Sequence, residues 1–366
     1  MKFTADSDTL YDTLRTAGRA RPSSATMPIL ETVLLRRDGA DLTARCTNLE
    51  QHVRATCEAD FDQAHNGPSE AALPYDRLTD TLQALPGTPV QITVGDGYEV
   101  RMDTDQGTYE MRASDAESFP DLPEADMDTE LDVNGELAGA IDRTDFAVSP
   151  DSLRPAMMGL LLQPVGEDSV AVATDGHRMS KLDLDLDLAG PDLIIPDDAL
   201  SMIARMDADL LQVGEDHVAV QGARGTVVSR LIDETYPSYD AVIPDNDDEM
   251  VVDREALLGA VTRAGIYTSS MMSTIRLSIF RDHLVVEGED AQRSSEASET
   301  VPCEYSGEET LEIGFNAEYL EEILSVATSE RVRFELGSPN DAAVVRPQGR
   351  EDHMMLLMPV MLNDYA

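Results

Sequence analysis

Apolar residues recur along this chain in two alternating rhythms. In DSDTLYDTLRTAGRA (6–20), NGELAGAIDRTDFAV (134–148) and DREALLGAVTRAGIY (253–267) they fall at helical spacing. Leu10 with Leu14, Leu137 with Ile141 and Leu257 with Val261 form the i, i+4 rows, and each segment opens on a polar residue suited to cap a helix. A second trio, LPYDRLTDTLQAL (73–85), IPDDALSMIARM (195–206) and GFNAEYLEEILSV (314–326), predicts three more amphipathic helices. Between the two helices of each set lie strand-like apolar runs, 29–47, 159–174 and 275–289, with turn signals such as DG and GED. These predict hairpins, and further strand pairs follow each second helix.

The repeating order is strand, helix, hairpin, helix, strands. Its first helices start near residues 6, 134 and 253, which are 128 and 119 residues apart. The phrases SFPDLPE (118–124) and TYPSYDAVIP (235–244) mark the joints. The pattern predicts an α+β fold of three repeated domains, 1–125, 126–246 and 247–366, each with two helices packed on antiparallel sheets. Three such units invite a curved or closed array, with helices lining an inner wall. The competing reading is three unrelated α+β segments that share an order.

Composition changes the surroundings more than the fold. Of 366 residues 42% are hydrophobic and none is Trp, so the cores are built from Leu, Val, Ile, Ala and Met. The formal net charge is −44, from 71 acidic and 27 basic residues, and only Lys2 and Lys181 are lysines. Such charge repels itself in dilute buffer. Molar salt shortens the screening length to about 3 Å. The balance is that of a protein from a salt-in halophile. Cys46, Cys57 and Cys303 are too few and too scattered for a disulfide framework, and read as free thiols. The opening MKFTADSDTL has no apolar signal core, and no apolar run approaches the ~18 residues of a membrane span. The expectation is a soluble, cytoplasmic protein with no membrane partner.

One stretch concentrates chemistry: ATDGHRMS (173–180). Asp175 and His177 could relay a proton or ligate a metal, but no HExxH or CxxC accompanies them, and the other five histidines are scattered. No nucleophile elbow or phosphate-binding loop is present. The plainer reading is a strand end followed by a tight turn, with Gly176 in a backbone conformation that suits glycine. No catalytic residue, metal or cofactor is expected.

ATDGHRMS resembles the corresponding loop of the bacterial DNA polymerase III beta subunit, the sliding clamp. MKF at the start, MPIL (27–30), YPSYDAVIP (236–244), EIGFNAEY (312–319) and MPVML (358–362) fall in the family's order over almost the whole chain. The resemblance implies a ring-forming DNA clamp fold: a head-to-tail homodimer whose six domains close around duplex DNA, independent of DNA sequence. It implies a non-catalytic processivity factor that tethers the replicative DNA polymerase and needs a separate clamp loader. Repair polymerases and mismatch-repair or ligase-type proteins would share one peptide-binding cleft.

Carried over position by position, the cleft residues are Met157, Thr174, Gly176, His177, Arg178, Met179, Pro237, Val242, Met272, Asn316, Tyr319, Leu356, Met358, Pro359, Val360, Met361 and Leu362. Methionine repacks around varied ligands, which suits a promiscuous pocket. His177 and Arg178 would shape the loop and offer donors to the peptide. The chain departs from the family's usual tail by reading MPVML and adding four residues, 363–366, which would crowd or extend the cleft. The dimer positions are Tyr109 and Met111 on one side and Ile266 and Tyr267 on the other; Tyr109 and Tyr267 read equally well as core aromatics. At positions matching basic or polar channel residues stand Ser24, Asp151, Asp197 and Asp198, three of them acidic. Arg77, Arg154 and Arg205 remain as DNA-facing candidates. A closed ring needs little affinity, and counterion release contributes little in molar salt.

Two other functions compete. A paralogous adaptor would bind the same peptides without enclosing DNA, as the acidic channel positions suggest. A carboxylate-dependent metal hydrolase rests only on the abundance of Asp and Glu, which the charge excess explains better.

Overall fold

The computed structural model describes residues 1–25, 27–122, 129–133, 135–188, 190–269 and 273–362. Six α-helices occur among them: α1 (Ser7–Ala17), α2 (Tyr75–Ala84), α3 (Glu136–Thr144), α4 (Asp197–Ile203), α5 (Arg254–Gly265) and α6 (Ala317–Val326). All six lie within the segments that the sequence pattern marked. Capping fixes several starts. Asp6 accepts the Asp8 and Thr9 amides, Asp253 accepts the Ala256 amide at 2.8 Å, and Asn316 accepts the Tyr319 amide at 3.2 Å. The expected cap of α3, Asn134, lies outside the described residues. Leu10, Leu14, Leu137, Ile141, Leu257 and Val261 are all buried, so each predicted row faces a core.

All strand ladders among the described residues are antiparallel, and they form sheets of five, eight and twelve strands. The chain divides into two compact units, Met1–Ala138 with Asp198–Leu231, and Gly139–Asp197 with Ile232–Ala366. The repeat remains visible, but its middle copy contributes to both units because its strands continue its neighbours' sheets. In the first unit, Gly225–Arg230 pairs with Gln51–Glu58, setting Val228 opposite His52. In the second, Arg178–Leu184 pairs with His353–Leu357, setting Leu182 opposite His353. Backbone hydrogen bonds that would otherwise sit at an exposed sheet edge are satisfied across each joint.

The first unit's core gathers Phe3, Leu10, Leu14, Leu35, Leu73, Leu78, Ile92 and Met102. The second unit's larger core holds Leu257, Val261, Ile275, Phe315, Leu320, Ile323 and Phe334. A separate cluster in the second unit joins Leu161, Val172, Met179, Tyr236, Tyr239, Val344, Met354 and Leu356. The three cysteines are free and buried. No helix among the described residues is long and apolar enough to cross a membrane.

Both sheet joints bury a histidine. His52 and His353 are each pulled down to about 4, first by burial and then by nearby arginines, Arg45 and Arg143 respectively. The Ser180 hydroxyl donates to the Arg143 carbonyl at 2.8 Å, so His353 Nε2, 3.0 Å from the same hydroxyl, carries the proton of that contact. Since the folded pKa lies below the unfolded value near 6.5, the unfolded chain binds protons that the folded one refuses. Stability is therefore full above pH ~6.5 and declines as pH falls toward ~4, by about 2–3 kcal/mol per histidine. Denaturant unfolding in 3 M KCl between pH 7 and pH 4 should show this loss. The His52→Gln and His353→Gln variants should each lose less on acidification; slopes equal to the parent's would contradict the assignment.

Candidate functional site

The ATDGHRMS segment closes the hairpin between Asp168–Thr174 and Arg178–Leu184, and Asp175 organises it from inside. Asp175 is buried. Its Oδ1 accepts the His177 and Arg178 amides at 2.8 and 2.9 Å, and Oδ2 takes Arg178 Nε at 3.2 Å. The Thr174 hydroxyl donates to the Arg178 carbonyl and accepts the Gly176 amide. Gly176 has φ +86°, and a Cβ there would come within 2.8 Å of Arg154 Nη1. Arg154 Nη1 donates to the Asp175 carbonyl at 2.8 Å while its Nε meets Asp151 at 3.0 Å. The Thr174 hydroxyl, the Asp175 carboxylate and the amides of 176–178 are thus committed to holding the turn's shape.

Arg178 turns inward. Its guanidinium lies over the rings of Tyr319 and Phe146, at 4.3 and 5.3 Å from their centroids, and pairs with Asp175 and with Glu322 of α6. Burial lowers its pKa, and Asp175 opposes that shift. Arg178, expected to shape the loop and offer donors to a peptide, is 9% exposed, and its guanidinium has partners within the fold. His177 stays exposed, and its ring stacks near Tyr319 at 6.3 Å.

The tail runs alongside. The Met358 amide donates to the His177 carbonyl and the Val360 amide to the Gly314 carbonyl, each at 2.8 Å. Gly314 admits no side chain, since a Cβ would sit 2.6 Å from the Val360 carbonyl and 2.7 Å from Leu362. The segment 358–362 is therefore pinned at Met358 and Val360, along a surface floored by the Met179–Leu356 pair.

Most sequence-predicted cleft positions converge here. Thr174, Gly176, His177, Arg178 and Met179 form the turn and its following strand. Leu356, Met358, Pro359, Val360, Met361 and Leu362 form the tail, while Asn316 and Tyr319 start α6. Met157 ends a short 3-10 turn beside Ala156, which packs on the same cluster as Tyr236, the neighbour of Pro237. Val242 and Met361 are exposed, at 58% and 78%. Met179 and Leu356, at 1% and 2% exposure, lie under this surface and not on it. Met272 and the tail 363–366 lie outside the described residues. Sequence reading missed Arg154 as a brace of the turn, Glu322 and Phe146 as partners of Arg178, and Tyr236, Tyr239 and Val344, which only the folded chain brings to the apolar cluster.

The remaining predicted positions are less concentrated. Arg77 is exposed on α2, and Arg205 is exposed in the turn after α4. Arg154 is engaged by Asp151 and the Asp175 carbonyl. In the first unit Arg205 belongs to a group that sequence reading did not assemble: the charges of Arg205, Arg15 and Arg224, after burial, lower the pKa of Arg19. Tyr109 and Met111 are half-buried on Thr108–Arg112, an edge strand of the five-stranded sheet, against the first unit's core. Ile266 and Tyr267, just past α5, are presented to solvent at 74% and 43% exposure.

Comparison with known proteins decides the family. Models of the N-terminal, central and C-terminal domains of the DNA polymerase III beta subunit match residues 1–123, 132–238 and 240–361. The chain belongs to the DNA polymerase III beta subunit family. The beta sliding clamp of Pseudomonas aeruginosa is 29% identical over 99% of this chain and all of that protein, and the Escherichia coli clamp is 25% identical over the same shares. A Pseudomonas aeruginosa sliding clamp solved bound to griselimycin superposes with a TM-score of 0.91 at 29% identity, covering 99% of this chain and 100% of that one. A Bacillus subtilis clamp gives the same TM-score at 21% identity, which shows the shared fold.

The chain is thus a three-domain sliding clamp of DNA replication, and its turn at 174–178 is built to be rigid. Asp175→Ala should cost about 2–4 kcal/mol in denaturant unfolding, because it strips two backbone amides, one of them buried, and a buried arginine of their acceptor. Asp175→Asn, which keeps one oxygen, should cost less. Gly176→Ala should cost about 1 kcal/mol or more through its positive φ. Three variants as stable as the parent would contradict this account of the turn.

Proposed function

We propose that two copies of this clamp join head to tail and encircle duplex DNA, and that partner proteins dock an apolar peptide in the cleft of the second unit. The domains are taken as 1–125, 126–246 and 247–366. One observation carries the reading. A turn locked by Asp175, a tail pinned at His177 and Gly314, and Tyr319 of α6 frame one apolar floor. A rigid, mostly apolar concavity with a few fixed polar groups is what a short peptide needs. The griselimycin-bound state of the Pseudomonas aeruginosa clamp supports ligand binding by this chain also.

Ile266 and Tyr267 supply one side of the dimer contact, and the edge strand bearing Tyr109 and Met111 supplies the other. Arg77 and the group Arg15, Arg19, Arg205 and Arg224 face DNA phosphates. The replicative polymerase, a clamp loader and repair, mismatch-repair or ligase-type proteins are the partners. The protein is non-catalytic, acts in the cytoplasm, and works in molar salt that screens its net charge of −44. Topology, and not affinity, holds it on DNA.

The test is retention on nicked circular duplex DNA in molar KCl after incubation with a competent loader and ATP. Retention on circles, with release when the circle is cut once, is expected. Failure to be retained, alongside intact peptide binding, would favour an adaptor that no longer encloses DNA.

A further inference from the structure

Beyond its apolar end the same sheet face continues into a charged cavity. Side chains on one face of a strand recur every second residue. Met179, Lys181 and Asp183 follow one another on one strand, with Met354 and Leu356 opposite and Val344 and Arg346 on the next strand over. A cavity of about 290 Å³ lies at the far end, lined by Lys181, Asp183, Ile243, Arg346, Glu351, Asp352 and Met354. Met354 and Ile243 also pack in the apolar cluster under the cleft, so cleft and cavity share a wall.

Its charges are layered. The cations lie deep and already matched: Lys181 near Asp183 at 3.8 Å, Arg346 with Glu335 at 3.1 Å. Their side chains are only 27% and 21% exposed. The carboxylates stand outward, Asp183 at 57% beside Lys181 and Glu351 at 70% in an ion pair with Arg333 at 2.9 Å, and both keep open faces toward solvent. Asp352 is held by Arg350 at 2.6 Å. An apolar wall beneath an outward carboxylate rim suits one kind of side chain, an aliphatic stem ending in a cation.

The geometry points to this cavity as a second subsite of the cleft, which takes an arginine or lysine that flanks the apolar anchors of a partner peptide. The inference rests on the peptide-cleft reading above. Asp183 and Glu351 are its specificity-determining residues. Met354 and Ile243 carry the stem. Lys181 and Arg346 hold the carboxylates in place and reject an acidic residue at that position.

The probe is a fluorescein-labelled peptide with two leucines and a phenylalanine as anchors. It is extended in turn at each end by two glycines and then arginine, norleucine or glutamate. Anisotropy is read on the full chain at the lowest KCl that keeps it folded and again in 3 M KCl. At one of the two ends, arginine should bind about three- to tenfold tighter than norleucine, the size expected of a partly exposed ion pair. Glutamate should bind weaker than norleucine. The arginine gain should vanish in the Asp183→Asn, Glu351→Gln double variant and shrink in 3 M KCl. Equal binding of the arginine and norleucine peptides at both ends, with the unextended peptide still bound, would overturn the subsite and leave the cleft reading standing. Loss of binding by every peptide, the unextended one included, would overturn both.

Discussion

The cleft exists because one antiparallel ladder joins two distant stretches of chain. Arg178–Leu184 and His353–Leu357 pair residue for residue, and the Ser180 and His353 side chains meet although 173 positions separate them. This pairing sets Met179 against Leu356 and brings the turn at Asp175 beside the tail. Without it the tail would have no register, and His177 would have no Met358 amide to accept. Long-range ladders of this kind are slow to form but specific, because a one-residue slip would turn every side chain to the opposite face.

Around that ladder the polar groups serve order more than reactivity. Asp175 and Arg178 look like reactive residues in the sequence. In the fold, the carboxylate is consumed by two backbone amides and a guanidinium, and the guanidinium by Asp175, Glu322 and two aromatic faces. Buried charge so fully matched fixes geometry at the cost of desolvation, and truncating either partner leaves the other stranded. The apolar side chains Val242, Met358 and Met361 stay exposed.

Much of the fold was legible because periodicity reports burial directly. The six helices and the hairpins at 32–47, 159–174 and 274–290 lie where apolar spacing and turn residues put them. Gly176 was legible as a turn glycine from its neighbours alone. The sharing of the middle repeat between two compact units was not, because periodicity within a strand carries no information on which strand it pairs with. For the same reason the sequence could not show that Arg154, a DNA-facing candidate, also reaches the Asp175 carbonyl. The grouping of Arg15, Arg19, Arg205 and Arg224 was equally hidden, since it spans more than 200 residues of sequence. Met179 and Met358 illustrate the limit of residue type: one is core, the other is exposed, and only the fold separates them.

The central claim is that the surface framed by 174–179, Tyr319 and 356–362 is where partners bind. Hydrogen exchange of the chain in molar KCl, with and without a saturating peptide anchored by leucine and phenylalanine, tests it most directly. The account predicts slowed exchange concentrated at the amides of 174–179 and 356–362, with little change in the first unit. Slowing confined to other segments, with these amides unaffected by a bound peptide, would contradict it.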